Sequence, residues 1–461
     1  MAGNGFNKGY IGINKLADDE GGVRSSRKGY THNVDREWRY EPTWVRNPQW
    51  LEIPDIPEGE QKFIGLYGVS DISDESNAVA FRFVGACTVD WGDGSSPENF
   101  SSGTTARHVY TFSSISSDTE TDAGLRQVLI TVTPQSGQNF TTIDLIETPI
   151  NWTTNHIKTW LDISIRAPNC VSLSLCSSAN PFPFMERARI FELGNATSFA
   201  NLFYGCTRLR YVEMPQTPFT SLTSVASMFQ LCSDMRYAPY FDTSNVTSFS
   251  TMFGSCNSLL YVPKYDTSSG TSCLRMFQNC YSLKYLPDID LSSTTNLQEF
   301  AEACTQLTEI PDALAASIDA SCQTVNQMFN GCYSLRKCPA MNLSGCTNFT
   351  SMFASCFNLT EVGQLQTGAG TLFTSMFSGC NSLQEIPLID TSSGENFTSM
   401  FSGCFSLLRI PELDTSSGTN FTSMFANCSS LRRIDYAMDT SNGTIFNSMF
   451  STCTGLMRIP D

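Results

Sequence analysis

A chain of 461 residues with ordinary hydrophobic content and only 16% charged residues is long enough for two or three domains with real cores. Its net charge of −16 argues against a nucleic-acid backbone as partner, which takes clustered Lys and Arg, and suits a particle kept soluble by self-repulsion. No run approaches the roughly 18 apolar residues of a membrane span, so no membrane insertion is expected. The start, MAGNGFNKGYIGINK, lacks a basic stretch followed by an apolar one, so synthesis in a cytoplasm without a secretory signal is expected. That setting weighs against disulfides as the use of 18 cysteines.

Residues 1–61 are rich in Gly, Pro, Trp and charge, a composition that rarely folds alone. They are expected to form an extended arm that docks elsewhere, with Trp38, Trp44 and Trp50 as candidate anchors. Residues 62–150 carry β-rich runs (63–67, 79–84, 126–132) separated by Gly, Ser, Asp and Asn. Between them, Thr88-Val-Asp-Trp91-Gly-Asp-Gly94-Ser is followed by His108-Val-Tyr110-Thr-Phe. These motifs resemble PKD-type, immunoglobulin-like sandwiches, in which Trp-Gly-Asp-Gly makes a tight turn between strands and His-x-Tyr starts a later strand. Asp90, Asp93 and Glu98 around that turn could hold calcium, with a metal-free turn the simpler reading. Residues 151–190 are expected to be a linker and the N-terminal cap of a repeat region.

From 191 to 461 the chain repeats. The pattern Met/Leu-Phe-x-x-Cys-x-x-Leu recurs at cysteines 206, 232, 256, 280, 304, 332, 356, 380, 404, 428 and 453, in steps of 26, 24, 24, 24, 28, 24, 24, 24, 24 and 25. Such a period marks a solenoid in which stacked copies bury a continuous core. In one unit, Phe397, Met400, Phe401, Cys404 and Leu407 are spaced 3, 1, 3 and 3, which predicts a short helical turn. Leu407–Pro411 then predicts a strand closed by proline, and Asp414-Thr-Ser-Ser-Gly418 a turn. The longer steps ending at Cys232 and Cys332 predict bulges or loops on the turn side. The fold class expected is therefore mainly β with short helical turns: an extended arm, an immunoglobulin-like β-sandwich, then a leucine-rich-repeat β-solenoid of about 11–12 coils.

The units resemble BspA-like leucine-rich repeats: Phe241-Asp-Thr-Ser-Asn-Val-Thr247, then Met252-Phe253-Gly-Ser-Cys256-Asn-Ser-Leu259, matches that family's copies closely. The resemblance implies a curved solenoid used for adhesion or protein contact, with no shared catalytic site. Upstream, Asn47-Pro-Gln-Trp50-Leu-Glu-Ile-Pro54 and Glu60-Gln-Lys-Phe-Ile-Gly-Leu66 resemble virion structural proteins of tailed, notably marine, phages. This implies a place on the exterior of a particle, bound to other virion proteins through the arm, in several copies or as a homo-oligomer. The solenoid would then contact host surface glycan or protein. The competing readings are a capsid decoration or head fibre of purely structural role, and a polysaccharide depolymerase.

One cysteine per coil makes a linear file, which cannot surround a metal tetrahedrally and presents poor disulfide geometry; packing in the core is the expected role. A column of aspartates at 242, 266, 290, 390 and 414, with Asp439 one residue later, could form a calcium ladder, but capping its own turns is the simpler use. Ligand-facing positions are expected at the turn residues Asp390 and Gly394 and on the strand face at Gln384 and Glu385. Catalysis has little to draw on. The three histidines, His32, His108 and His156, fall in separate segments, and no nucleophile-elbow, zinc-protease or phosphate-loop motif is present, so no enzyme and no cofactor are expected. The final Ile459-Pro-Asp461 lies in a predicted strand without a polar cap, so a second copy or another virion protein is expected to cover it, unless its short, proline-ended strands shield the edge.

Overall fold

The structure, a computed structural model, describes residues 44–71, 77–147 and 158–458. Trp38, His32, His156 and 459–461 lie outside these residues, and Trp44–Asp461 forms one compact unit.

The first strand, β1 (Lys62–Ser70), is buried along almost its whole length, because both of its faces are covered. It pairs antiparallel with β6 (Leu125–Pro134) on one side and β8 (Trp160–Ala167) on the other. Beyond β6 lie β3 (Cys87–Asp90) and β4 (Glu98–Phe100), and beyond β8 the parallel strands β10 (Arg187–Leu193) and β11 (Tyr211–Glu213). A second sheet has the order β5 (Thr105–Val109), β2 (Ala78–Val84), β7 (Thr142–Asp144), β9 (Ser172–Ser174). Phe63, Tyr67, Phe81, Phe83, Trp91 and Trp160 belong to one buried core, with rings meeting edge to face, as at Phe63–Trp160 (5.5 Å, 89°) and Tyr67–Trp160 (5.2 Å, 81°).

These strands correct the expected boundaries. The Trp-Gly-Asp-Gly turn does join β3 to β4 as antiparallel neighbours. No self-contained sandwich closes at residue 150, however, because the free edge of β1 recruits β8 from the segment expected to be a linker. Through β8, β10 and β11 the same sheet runs from antiparallel pairing into the parallel pairing of the solenoid.

The expected anchoring role of Trp44 and Trp50 is corrected too. Trp50, Ile53 and Ile56 pack on Ile64, Leu66 and Leu161, covering the outer face of β1 and β8, and Trp50 is left only 7% exposed. Trp44 stacks on Tyr211 with centroids 5.9 Å apart, and the Arg187 guanidinium sits 5.4 Å from its ring. The strap is held polar-side by Asp162, a fully buried carboxylate of β8 bound by Arg46 at 3.1 Å and Arg187 at 2.6 Å. The side chains that would have reached an outside partner instead remove apolar sheet surface from water within the chain.

In the solenoid, one residue from each coil joins a single parallel file: Ser198, Ser224, Ser248, Ser272, Asn296, Thr324, Asn348, Leu372, Asn396, Asn420 and Ile445. The unit is mainly β with very little helix. The segment expected to be a helical turn is instead a run of β-turns. Met400, Ser402 and Cys404 donate their N–H groups to carbonyls three residues back (Phe397, Ser399, Phe401), and Ser399 and Gly403 take left-handed φ of 55° and 76°. The same left-handed pair recurs at Ser375 and Gly379, and at Ser423 and Asn427. A helix would consume every amide internally. Here the N–H groups of Phe397, Ser399, Phe401 and Gly403 remain free to donate to Asn420, Thr422, Met424 and Ala426 of the next coil, at 2.8–2.9 Å. The stacking requirement, more than the 3, 1, 3, 3 spacing, decides the local conformation.

The same geometry aligns two files of phenylalanines. Phe329, Phe353, Phe377, Phe401, Phe425 and Phe450 stack in succession with centroids 5.5–5.9 Å apart and planes within 11°. Phe349, Phe373, Phe397, Phe421 and Phe446 do the same at 5.3–5.7 Å. The first file breaks where Phe300-Ala301 replaces Met-Phe, moving the ring one residue earlier, and the Phe277–Phe300 contact turns edge-on (85°). In that coil's 28-residue step the extra length forms a short helix, α1 (Asp312–Ser317), where a bulge or loop is expected. On the strand side, the predicted strands are reduced to single bridges such as Tyr237↔Tyr261 and two-residue pairs such as Lys337–Cys338 with Glu361–Val362.

A left-handed serine costs about 1–3 kcal/mol unless its surroundings enforce it. Ser399→Val, β-branched at positive φ, is expected to lower stability by roughly that amount in urea unfolding of the full chain, whereas Ser399→Gly stays within about 1 kcal/mol of the parent. Equal losses for the two variants would contradict the turn assignment.

Candidate interaction surface

The cysteine file lies in the core, with all of its members thiols and all buried except the half-buried Cys453. Each Sγ–H from Cys232 onward donates to a main-chain carbonyl of the preceding coil: Cys256 to Phe229 at 3.0 Å, Cys380 to Phe353 at 3.2 Å, Cys404 to Phe377 at 3.1 Å. That carbonyl already accepts the N–H of its own coil's cysteine, as Phe377 does from Cys380 at 3.1 Å. The thiol therefore fills the second lone pair of a buried oxygen, a use beyond space-filling that neither Ala nor Val could supply. From Cys232 onward burial pushes the thiols up, Cys304 and Cys428 to about 12, so these are poor nucleophiles and poor metal ligands while folded.

The turn side presents the aspartate column. Asp390 accepts the Ser392 N–H at 3.0 Å and hydroxyl at 2.7 Å, and Asp414 does the same with Ser416 at 3.0 and 2.6 Å. Those serine hydroxyls hold both carboxyls below the usual carboxylate range. The next residue, buried Thr391, donates to the Asp414 carbonyl at 2.8 Å, tying turn to turn. Asp390, Asp414, Asp439 and Glu412 line a shallow groove of about 710 Å³. Among the described residues no group of three or more His, Cys, Asp or Glu side chains is arranged to hold a metal ion.

Gly394 is corrected from ligand-facing to structural: it is buried, and a Cβ there would lie 2.5 Å from Cζ of Phe397 and 2.9 Å from the Thr391 oxygen. Only glycine lets the phenylalanine ring slide under this turn.

At the calcium candidates upstream, protein donors already occupy the oxygens. Asp90 accepts from Gly92 N–H, Glu98 from the Trp91 indole, and Asp93 from Ser95 N–H, while its second oxygen meets His108 Nε2 at 2.7 Å. Burial works against the charge of Asp93, but its Ser95 and His108 bonds outweigh it and keep the carboxyl below its usual range. His108 also stacks on Trp91 at 4.8 Å and 14°, so its ring is part of the packing.

The strand side carries the exposed chemistry. Glu385 forms an exposed ion pair with Arg409 at 2.7 Å, and Gln384 beside it is exposed. Toward the N-terminus the same column holds Lys337–Glu361, paired at 3.2 Å, then Glu309, and then four tyrosines in succession, Tyr285, Tyr261, Tyr237 and Tyr211. Tyr285 and Tyr261 are 54% and 40% exposed, with Tyr240 and Leu260 also open beside them and Lys284 Nζ 5.3 Å from the Tyr285 ring. A second exposed aromatic row directly follows the column cysteines: Tyr281, Tyr333, Phe357 and Phe405, with Tyr333 and Phe357 stacked at 4.8 Å. Sequence reasoning missed both rows, although their 24-residue period is as readable as that of the cysteines.

Gly394→Ala is expected to destabilise the chain by about 1–3 kcal/mol, read by urea unfolding, since Phe397 must leave its stacked position. A neutral result would return Gly394 to the exposed surface.

Comparison with known proteins adds four findings. Among solved structures, a leucine-rich repeat protein from Eubacterium ventriosum matches at 13% identity over 66% of this chain and 94% of its own, with a TM-score of 0.31. A TLR13–ssRNA13 complex matches at 14% identity over 65% of this chain and 54% of its own, with a TM-score of 0.25. No curated protein matches. The family model described as "Mycoplasma protein of unknown function, DUF285" matches residues 197–314, 319–410 and 371–458, more than half of the chain and the whole run of cysteine-marked coils, and the chain belongs to that family.

Proposed function

We propose that this chain is an attachment protein, whose solenoid binds surface polymer through its strand face. The observation that carries the reading is the file of tyrosines repeated once per coil and opening to solvent at Tyr261 and Tyr285. Large rings left in water cost solvation energy without helping the core. Flanked by cationic and hydroxyl groups, they are the residue types that dominate binding energy at recognition surfaces. Coils set about 4.8 Å apart make such contacts periodic, so weak individual contacts add along an extended glycan or protein.

The reading is non-enzymatic. Buried Glu299 and half-buried Glu302 are tied up in the fold: Glu299 takes Arg275 at 2.7 and 2.8 Å, and Gln278 bridges it to Glu302 at 2.6 and 2.7 Å. A setting on the exterior of a virion, with the region before Trp44 holding the chain to the particle, belongs to this proposal and rests on the resemblance of residues 47–66 alone.

The test is binding of the full chain to arrays of surface glycans and extracellular proteins, with Tyr261→Ser/Tyr285→Ser and Asp390→Asn/Asp414→Asn as paired variants. The tyrosine variant is expected to lose at least about tenfold in affinity, and the aspartate variant to bind as the parent does. Retention by neither array, or binding by the tyrosine variant equal to the parent, would overturn the proposal.

A further inference from the structure

The first member of the cysteine file breaks its pattern. From Cys232 onward every column thiol donates to a main-chain carbonyl of the coil before it. Cys206 has no such coil behind it. Its Sγ lies 3.2 Å from Sγ of Cys176, a residue that follows β9, and both side chains are buried. Cys176 is fixed there by its setting: the segment 177–185 lies over the first coil, so closely that a Cβ on Gly205 would meet Pro181 at 2.7 Å. The Lys158 ammonium, bound to the Leu145 and Glu147 carbonyls, lies within electrostatic reach of Cys176.

We infer that Cys176 and Cys206 are a modification site: a disulfide that staples the N-terminal sheets to the first coil when a small-molecule disulfide oxidant is available. The sulfurs need to close by only about 1 Å to reach the bonded separation of about 2.05 Å. In the reaction, one thiolate attacks oxidised glutathione, forming a mixed disulfide and releasing one glutathione thiolate. The second cysteine, as thiolate, then displaces the other glutathione. Two cysteine thiols lose two protons and two electrons, and one oxidised glutathione becomes two reduced molecules. The cross-link spans the place where the sheet passes from β8 into β10 and β11, so pulling force between the sheets and the solenoid would bypass residues 177–205. This inference is independent of what the strand face binds.

The test treats the full wild-type chain with oxidised and reduced glutathione in two arms, once folded and once during refolding from denaturant, because burial keeps the reagent from the folded pair. Free thiols are then alkylated and peptides mapped without reduction. The Cys176–Cys206 peptide pair is expected as the dominant disulfide in the refolding arm, with the melting temperature raised by roughly 3 °C over the reduced chain. Cys176→Ser is expected to abolish the shift. The mapping itself uses only wild-type protein and does not depend on that variant folding. Thiols at both positions in both arms, or disulfides scattered among the other column cysteines instead, would overturn the inference.

Discussion

Each coil of this protein is held by amides that its own turns leave unused. In Phe397–Cys404, alternate N–H groups close turns within the coil while the others donate to the next one, and two left-handed residues make that alternation possible. The rest of the solenoid depends on this division. The turns set phenylalanine over phenylalanine, place one cysteine where its thiol meets a carbonyl of the coil before, and require glycine wherever a ring passes under the Asp-Thr-Ser-Ser turn. The local strain of two left-handed residues per coil is offset only because identical neighbours stand on either side, which is why such a unit exists in stacks and not alone.

At the N-terminal end the stack is joined to antiparallel sheets by one continuous set of strands. β1 gives one edge to β6 and the other to β8, and β8 hands its far edge to the parallel strands that open the solenoid. Burying β8 on both faces places Asp162 beyond water, which the chain tolerates by aiming Arg46 and Arg187 at it. The strap carrying Arg46 also supplies Trp50, Ile53 and Ile56, so one segment both pairs the buried charge and covers the apolar face. The two halves of the described chain thus form one compact unit, with tyrosines of its strand face open to solvent.

Much of this is legible in the residues. The 24-residue step of the cysteines announces the solenoid, and the absence of paired metal-ligand spacing announces that the cysteines pack. The β-turns that stand in place of helical ones are not legible, because spacing of 3, 1, 3 and 3 is shared by an amphipathic helix and by successive turns with a left-handed third residue; serine at positions such as Ser399 gives no sign of positive φ. The tryptophans of the strap resemble an external anchor because nothing in the sequence shows that β1 and β8 need a cover. Gly394 looks like an open turn because the ring that passes beneath it belongs to Phe397, whose direction depends on the turn geometry. The tyrosine file escapes notice for a different reason: the cysteines dominate the repeat, and the exposed chemistry sits in a second column a few residues further along each coil.

Pulsed thiol labelling of the full chain, resolved cysteine by cysteine by mass spectrometry across a urea series, tests the central claim most directly. If the cysteine file is locked by coil stacking, positions from Cys256 to Cys428 should stay unlabelled under native conditions and become reactive together, in the unfolding transition of the solenoid. Rapid native-state labelling of individual interior cysteines, out of step with their neighbours, would contradict it.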